Sequence, residues 1–242
     1  MTNEQAIVER VEAALRRMPE LDFARHPIGV KLRGDVLTME GEVSDIAAKK
    51  LALEQGAMPL EVRWVEDRIR VAPAVPMGDG EIRDHVRDAL LGEPTLVECA
   101  VRLYARGAIV IGREPPVPAR GAVDVSIDRG VVTLDGRTPS LSHKRLAGVL
   151  CWWVPGVRDV VNALAVVPPE EDNDGELADA LRLIYDKNPF LDGAAIGVHV
   201  EGSIVTLRGW VASNEQRAMA ERDAWFVTGV GHVVNRIEVH RS

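Results

Sequence analysis

Three positions recur in this chain with the same two gaps between them. They are Thr38–Gly41–Val62, Thr133–Gly136–Val157 and Thr206–Gly209–Val230, the Gly three positions after the Thr and the Val 21 after the Gly. Repetition at fixed spacing sets the architecture before any single motif is read. It divides the chain into three copies of roughly 65 to 90 residues, a size that buries only about 60% of its unfolded surface and gains from neighbours.

Each copy opens on an amphipathic helix closed by proline. Ile7, Val11, Ala14, Leu15 and Met18 precede Pro19; Ile82, Val86, Ala89 and Leu90 precede Pro94; Leu177, Leu181, Ile184 and Tyr185 precede Pro189. The spacing is that of one helical face, and residues before proline avoid helical angles. An alternating hairpin follows, turning at Gly34-Asp35, Arg129-Gly130 or Gly202-Ser203. Its second strand reads VLTMEG, VVTLDG or IVTLRG, and the closing Gly is expected where a Cβ would crowd the backbone. A second helix starts at the N-cap residues Asp45, Ser140 or Ser213. It carries Leu51, Leu146 and Met219, then Ala52, Ala147 and Ala220, whose small side chains let it lie close to a sheet. A last strand ends at Val71, Val166 or Val239. The expected fold is α+β: three tandem α-β-β-α-β modules, each a three-stranded sheet with helices on one face. Their limits are 1–73, 80–168 and 175–240, separated by Pro- and Gly-containing linkers at Ala72–Gly80 and Pro168–Gly175.

The second copy departs in length. From Pro94 to Thr133 is 39 positions, against 19 from Pro19 to Thr38 and 17 from Pro189 to Thr206. The surplus lies near 98–121. Val101–Tyr104 and Ala108–Ile111 are expected to form an extra hairpin around Arg106-Gly107, with Pro115–Pro118 stiffening the return.

The totals narrow the function. Formal net charge is −8, and no stretch is basic enough to be a nucleic-acid footprint. No run of about 18 apolar residues and no secretory signal is visible, so the expected location is the cytoplasm. Cys99 and Cys151 are not at metal-ligand spacing. None of the six histidines forms a close pair with a third ligand, and no nucleophile elbow or phosphate-cradling glycine loop is present. The reading is therefore non-enzymatic, with no catalytic residues, no cofactor and no metal site.

The terminal pattern of each copy carries a resemblance. Gly156-Val-Arg-Asp-Val-Val-Asn162-Ala-Leu-Ala-Val166 recurs as Gly229-Val-Gly-His-Val-Val-Asn235-Arg-Ile-Glu-Val239. With the helix–Pro opening and Gly202-Ser-Ile-Val-Thr-Leu-Arg-Gly209, it resembles the BON domain family over nearly the whole chain. The first copy departs, with Glu61 in place of the Gly and Asp67 in place of the Asn. The resemblance implies a bacterial binding or interaction module in stress response or envelope maintenance, with phospholipid contact proposed for the family. It supplies no ligand.

Binding residues are sought where copies agree or where one stands out. Lys49, Lys144 and Arg217 sit four residues after the cap of helix two in every copy and could meet phosphates or a partner's acidic face. Trp152 and Trp225 align at the end of that helix and are read as core. Trp153 and Trp210 are candidates for an exposed contact. Thr38, Thr133 and Thr206 are read as strand residues, and Asn162 and Asn235 as groups bonding nearby backbone. The function expected is association with a protein partner, with further copies of the chain, or with envelope lipid at a membrane surface. The alternative is a sensor of potassium, another cation or a small ligand, closing between modules.

Overall fold

The computed structural model describes residues 3–105, 107–114 and 119–240. By compactness the chain divides into a unit over Met1–Ala72 and a unit over Pro73–Ser242.

In the first unit, α1 (Asn3–Leu15) leads to β1 (Ile28–Arg33), β2 (Val36–Val43), α2 (Ile46–Ala57) and β3 (Trp64–Val71). The sheet order is β1-β2-β3, with β1 antiparallel to β2 and β3 parallel to it. Alternation in β1 turns Ile28, Val30 and Leu32 inward. They meet Leu37, Met39 and Ile69 from the other strands and Ile7, Val11 and Leu15 from α1, all buried. Each such side chain contributes about 1.5–3 kcal/mol by leaving water.

The second unit holds two copies. Its first part runs α3 (Asp79–Gly92), β4 (Cys99–Ala105), β5 (Ala108–Arg113), β6 (Gly121–Asp128), β7 (Val131–Thr138), α4 (Leu141–Trp152), β8 (Asp159–Asn162) and β9 (Ala165–Val166). Its second part runs α5 (Asp174–Lys187), β10 (Ile196–Glu201), β11 (Ile204–Val211), α6 (Asn214–Phe226) and β12 (His232–Val239). The α+β order read from the sequence is present in all three copies. The middle sheet differs from the expected three strands: it has six, ordered β5-β4-β6-β7-β8 with β9 also on β7. The inserted hairpin is β4–β5, and it widens the sheet because β4 pairs parallel with β6, the copy's own first strand. Arg106 and Pro115–Pro118, named above for the turn and the return, lie outside the described residues. The copy's last strand is split at Ala163-Leu164, yet β8 and β9 keep one register along β7.

The same local devices recur. Asp45, Ser140 and Ser213 each cap helix two by accepting from the backbone N–H three residues on, at 2.9, 3.2 and 3.2 Å. Ala52, Ala147 and Ala220 are fully buried under that helix. A further device was not foreseen. The first-turn acids Glu4, Asp79 and Asp174 accept from the turn amides of Gly34, Gly130 and Gly202 at 2.9, 2.8 and 3.0 Å. Each acid stands three positions before the first buried residue of its helix, so helix one ties down the hairpin turn beside it.

The closing glycines behave as expected. A Cβ on Gly41 would stand 2.7 Å from the carbonyl oxygen of Pro27, and one on Gly136 or Gly209 would meet Ala122 or Ala195 O. Gly136 and Gly209 also have φ of 108° and 120°, a region closed to L side chains. Gly209→Ala is expected to lower stability by about 1–3 kcal/mol, read as a fall in the urea midpoint; an unchanged midpoint would contradict the close approach.

Candidate functional site

The repeated Asn position is consumed by architecture. Asn162 and Asn235 each donate from Nδ2 to a carbonyl of helix two, Lys144 O at 2.7 Å and Arg217 O at 3.0 Å. Their Oδ1 atoms accept from Leu164 N and Ile237 N. Asp67, at the matched position of the first copy, accepts from Ile69 N at 2.9 Å and pairs with Lys49 Nζ at 2.9 Å. One side chain thus pins the third strand to helix two in every copy, and the Asp is matched by a cation where the others use an amide.

The three aligned cations therefore stand in different surroundings. Lys49 is buried at 4% exposure, Lys144 is half-buried and Arg217 is exposed. Thr38 donates to Glu66 at 2.7 Å on the outer face of its sheet; that bond, with Arg68 beside it, holds the Glu66 carboxyl below its usual range. His143 accepts or donates at Ser140 Oγ, 2.6 Å away, and its burial lowers its pKa. Cys99 and Cys151 are free and buried, and burial pushes the Cys151 thiol up to about 12, far from a reactive thiolate. Among the described residues no three His, Cys, Asp or Glu side chains gather as metal ligands would, and no helix is long and apolar enough to cross a membrane.

The tryptophans separate into three roles. Trp225 is buried, edge-on to His232. Trp152 stacks on Phe226 with centroids 5.2 Å apart and planes 7° from parallel. Trp153 is half-buried and donates from Nε1 to Asp223 Oδ1 at 3.0 Å. Trp152 and Trp153 lie at the end of α4, Phe226 and Asp223 on α6, so these contacts join the second copy to the third. Arg145 adds to them: almost fully buried, it reaches Thr228 O at 3.0 Å and Asp172 at 2.7 Å. Lys187 closes a further ion pair with Glu93 at 2.7 Å. Sequence reading missed Arg145, Glu93 and Asp223. Glu93 and Asp223 have no acidic match in the other copies, and Arg145 is matched by a basic residue only in the first, at Lys50.

Trp210 is the outward one, at 53% exposure. It lies on the open face of the third sheet, where β11 presents Ile204, Thr206, Arg208 and Trp210. β12 presents His232, Val234, Arg236 and Glu238 beside them. Parallel register sets Arg208 directly against Arg236, and Trp210 against Glu238. The strand on the other side offers Gly197 opposite Arg208 and His199 opposite Thr206. Glu238 is engaged by His240 at 3.1 Å. Among the described residues neither guanidinium has a carboxylate partner, and like charges directly across a strand pair destabilise it.

The inserted hairpin forms a second surface. It leaves a groove of about 640 Å³ against α3, floored by Leu103, Val110 and Ile127 and walled by Arg83, Asp84 and Arg87. The wall charges pair with one another.

Residues 110–168 and 173–241 match the BON domain. More than half of the chain is covered, and the protein belongs to the BON family, generally a non-catalytic binding domain. Residues 1–73 lie outside the matched segments, though they have the same element order. No curated protein matches the chain. Among solved structures, it is similar to CdsD, a structural protein of the type III secretion system of Chlamydia trachomatis, at 12% identity over 98% of this chain and 93% of that one, with a TM-score of 0.26. A structure of the CdsD C-terminal domain gives 11% identity over 99% and 100%, with a TM-score of 0.25.

Asp223 yields a prediction with a definite sign. Burial raises its pKa above the ordinary 3.8, although Asn188 and Trp153 both donate to it. A carboxyl with a raised folded pKa stabilises most below pH 3.8 and loses that contribution as pH rises through the folded value. Trp153→Phe removes one donor and should raise the pKa further. The variant is expected to lose about 1–3 kcal/mol at pH 7 and less at pH 4, measured as urea midpoints; an equal loss at both would contradict the assignment.

Proposed function

We propose that the chain is a non-catalytic binding protein of three BON modules, at 1–73, 80–168 and 175–240, and that it holds a protein partner on the open sheet face of the third. The observation that carries this reading is the unpaired Arg208–Arg236 couple beside Trp210. An acidic group from a partner turns the repulsion between the two guanidiniums into charge-assisted hydrogen bonds. Trp and Arg at the centre of a patch are also the residues that dominate protein interfaces. A protein is favoured over an anionic bilayer by charge. Residues 169–242 hold 7 basic and 13 acidic residues, so an extended anionic bilayer meets net repulsion beyond the two arginines, whereas a single acidic side chain of a partner engages only the two guanidiniums. Envelope association is then reached through the partner.

The test is affinity capture from source cells with wild type, Trp210→Ala, Arg208→Glu/Arg236→Glu, and Lys144→Ala as a control. A partner held by wild type and the control should be lost by roughly tenfold or more in the other two, since a central Trp contributes about 2 kcal/mol. A partner held equally by all four proteins would remove this face from consideration. Flotation with anionic vesicles that needs Arg208 and Arg236 would put a bilayer in the partner's place.

A further inference from the structure

β5 is the last strand of the six-stranded sheet, and among the described residues no strand pairs with its outer side. Edge strands are ordinarily blunted by charge, proline or a covering element, because their free N–H and C=O groups template further pairing. β5 is not blunted in this way. From Ala108 to Gly112 it carries no charge, and Ile109, Val110 and Ile111 are 54%, 48% and 61% exposed. Apolar side chains thus emerge on both faces of one edge strand. The strand is also held in place. Arg113 donates to Cys99 O, Leu91 O and Leu96 O at 3.3, 3.1 and 2.7 Å, anchoring β5 to its own module.

Register decides which groups face outward. Ala105 pairs with Ala108 across the turn, Tyr104 with Ile109, Leu103 with Val110 and Arg102 with Ile111. In an antiparallel ladder, residues alternate between bonding the partner and pointing away from it. Two positions separate Ala105 from Ala108 in the sequence, and with that innermost pair as the bonded one, Val110 also bonds inward. Ile109 and Ile111 then direct their N–H and C=O away from the sheet. The stretch Ile109-Val110-Ile111 reads the same in both directions.

We infer that a second copy of this chain pairs with β5, strand β5 against strand β5 in antiparallel fashion about a twofold axis at Val110, making one continuous sheet of the two middle sheets. In that register Ile109 of each copy meets Ile111 of the other as a hydrogen-bonded pair. Val110 meets its own counterpart as a non-bonded pair, where side chains approach most closely. An isologous twofold contact requires one self-complementary patch, and the palindrome supplies it. No like charges are brought face to face over Ala108–Gly112, despite the chain's net charge of −8. The bulge between Val101 and Arg102, opposite Gly112, limits the regular pairing to this short stretch, so the dimer should be concentration-dependent.

Sedimentation velocity of the full chain over a concentration series tests this. Wild type should shift from monomer to dimer. Ile109→Lys/Ile111→Lys should stay monomeric, with its circular dichroism spectrum and melting unchanged. Independently, Val110→Cys should form a disulfide-linked dimer on mild oxidation, and Ile109→Cys should not. Cys99 and Cys151 are buried, so they leave that readout clean. A wild type that is monomeric throughout overturns the inference. So does a dimer that survives the double lysine variant, or one in which Val110→Cys fails to cross-link.

Discussion

The parallel pairing between the second and third strands of each copy is the constraint on which the rest depends. Val36 pairs with Trp64, Val131 with Asp159 and Ile204 with His232, in each case 28 positions apart. A parallel pair cannot be joined by a tight turn and needs a crossover helix. Helix two is that crossover, and its length, its cap and the loop after it must sum to the same distance every time. The Thr–Gly–Val spacing is this distance written in sequence. Asn162, Asn235 and the Asp67–Lys49 pair then lock the third strand to the helix above it. Little of the repeated chemistry remains for a ligand once these bonds are made.

The proposed binding surfaces therefore rest on what is not repeated. The third copy sets two cations against each other where the first has Glu40 against Arg68. The second copy adds a hairpin, and with it an edge of different character from those of its neighbours. The second and third copies are fastened by Arg145, Asp223, Trp153 and the Trp152–Phe226 stack. Those contacts give one unit two distinct surfaces, a charged and aromatic sheet face and an apolar strand edge.

Helix order, caps, hairpin turns and the inserted hairpin could all be read from the chain, because each follows from a local rule. Apolar periodicity, a capping side chain or a turn glycine acts within a few residues of its own position. The same holds for the closing glycines and for Trp225; Trp152, read as core from the matched place on helix two, is only half-buried, because it stacks on Phe226 of the third copy. The reading went less far where partners are distant. Trp153 looked like an exposed contact candidate, but its partner, Asp223, lies 70 positions away. Lys49 looked like a displayed cation, and the Asp that holds it, Asp67, is on the third strand, 18 positions along the chain from Lys49 on helix two. The two arginines at 208 and 236 drew no attention, since only parallel register makes them neighbours.

Periodicity and spacing settled the α-β-β-α-β plan, because side chains one turn or one pleat apart share a face whatever surrounds them. The six-stranded middle sheet, the fastening of the second copy to the third and the exposed edge at β5 depended on which strand lies beside which. That is a matter of long-range pairing, and energetic preference for it is spread over backbone groups that every residue possesses. Folding alone brings those groups together, so the surfaces best suited to binding became visible only in three dimensions.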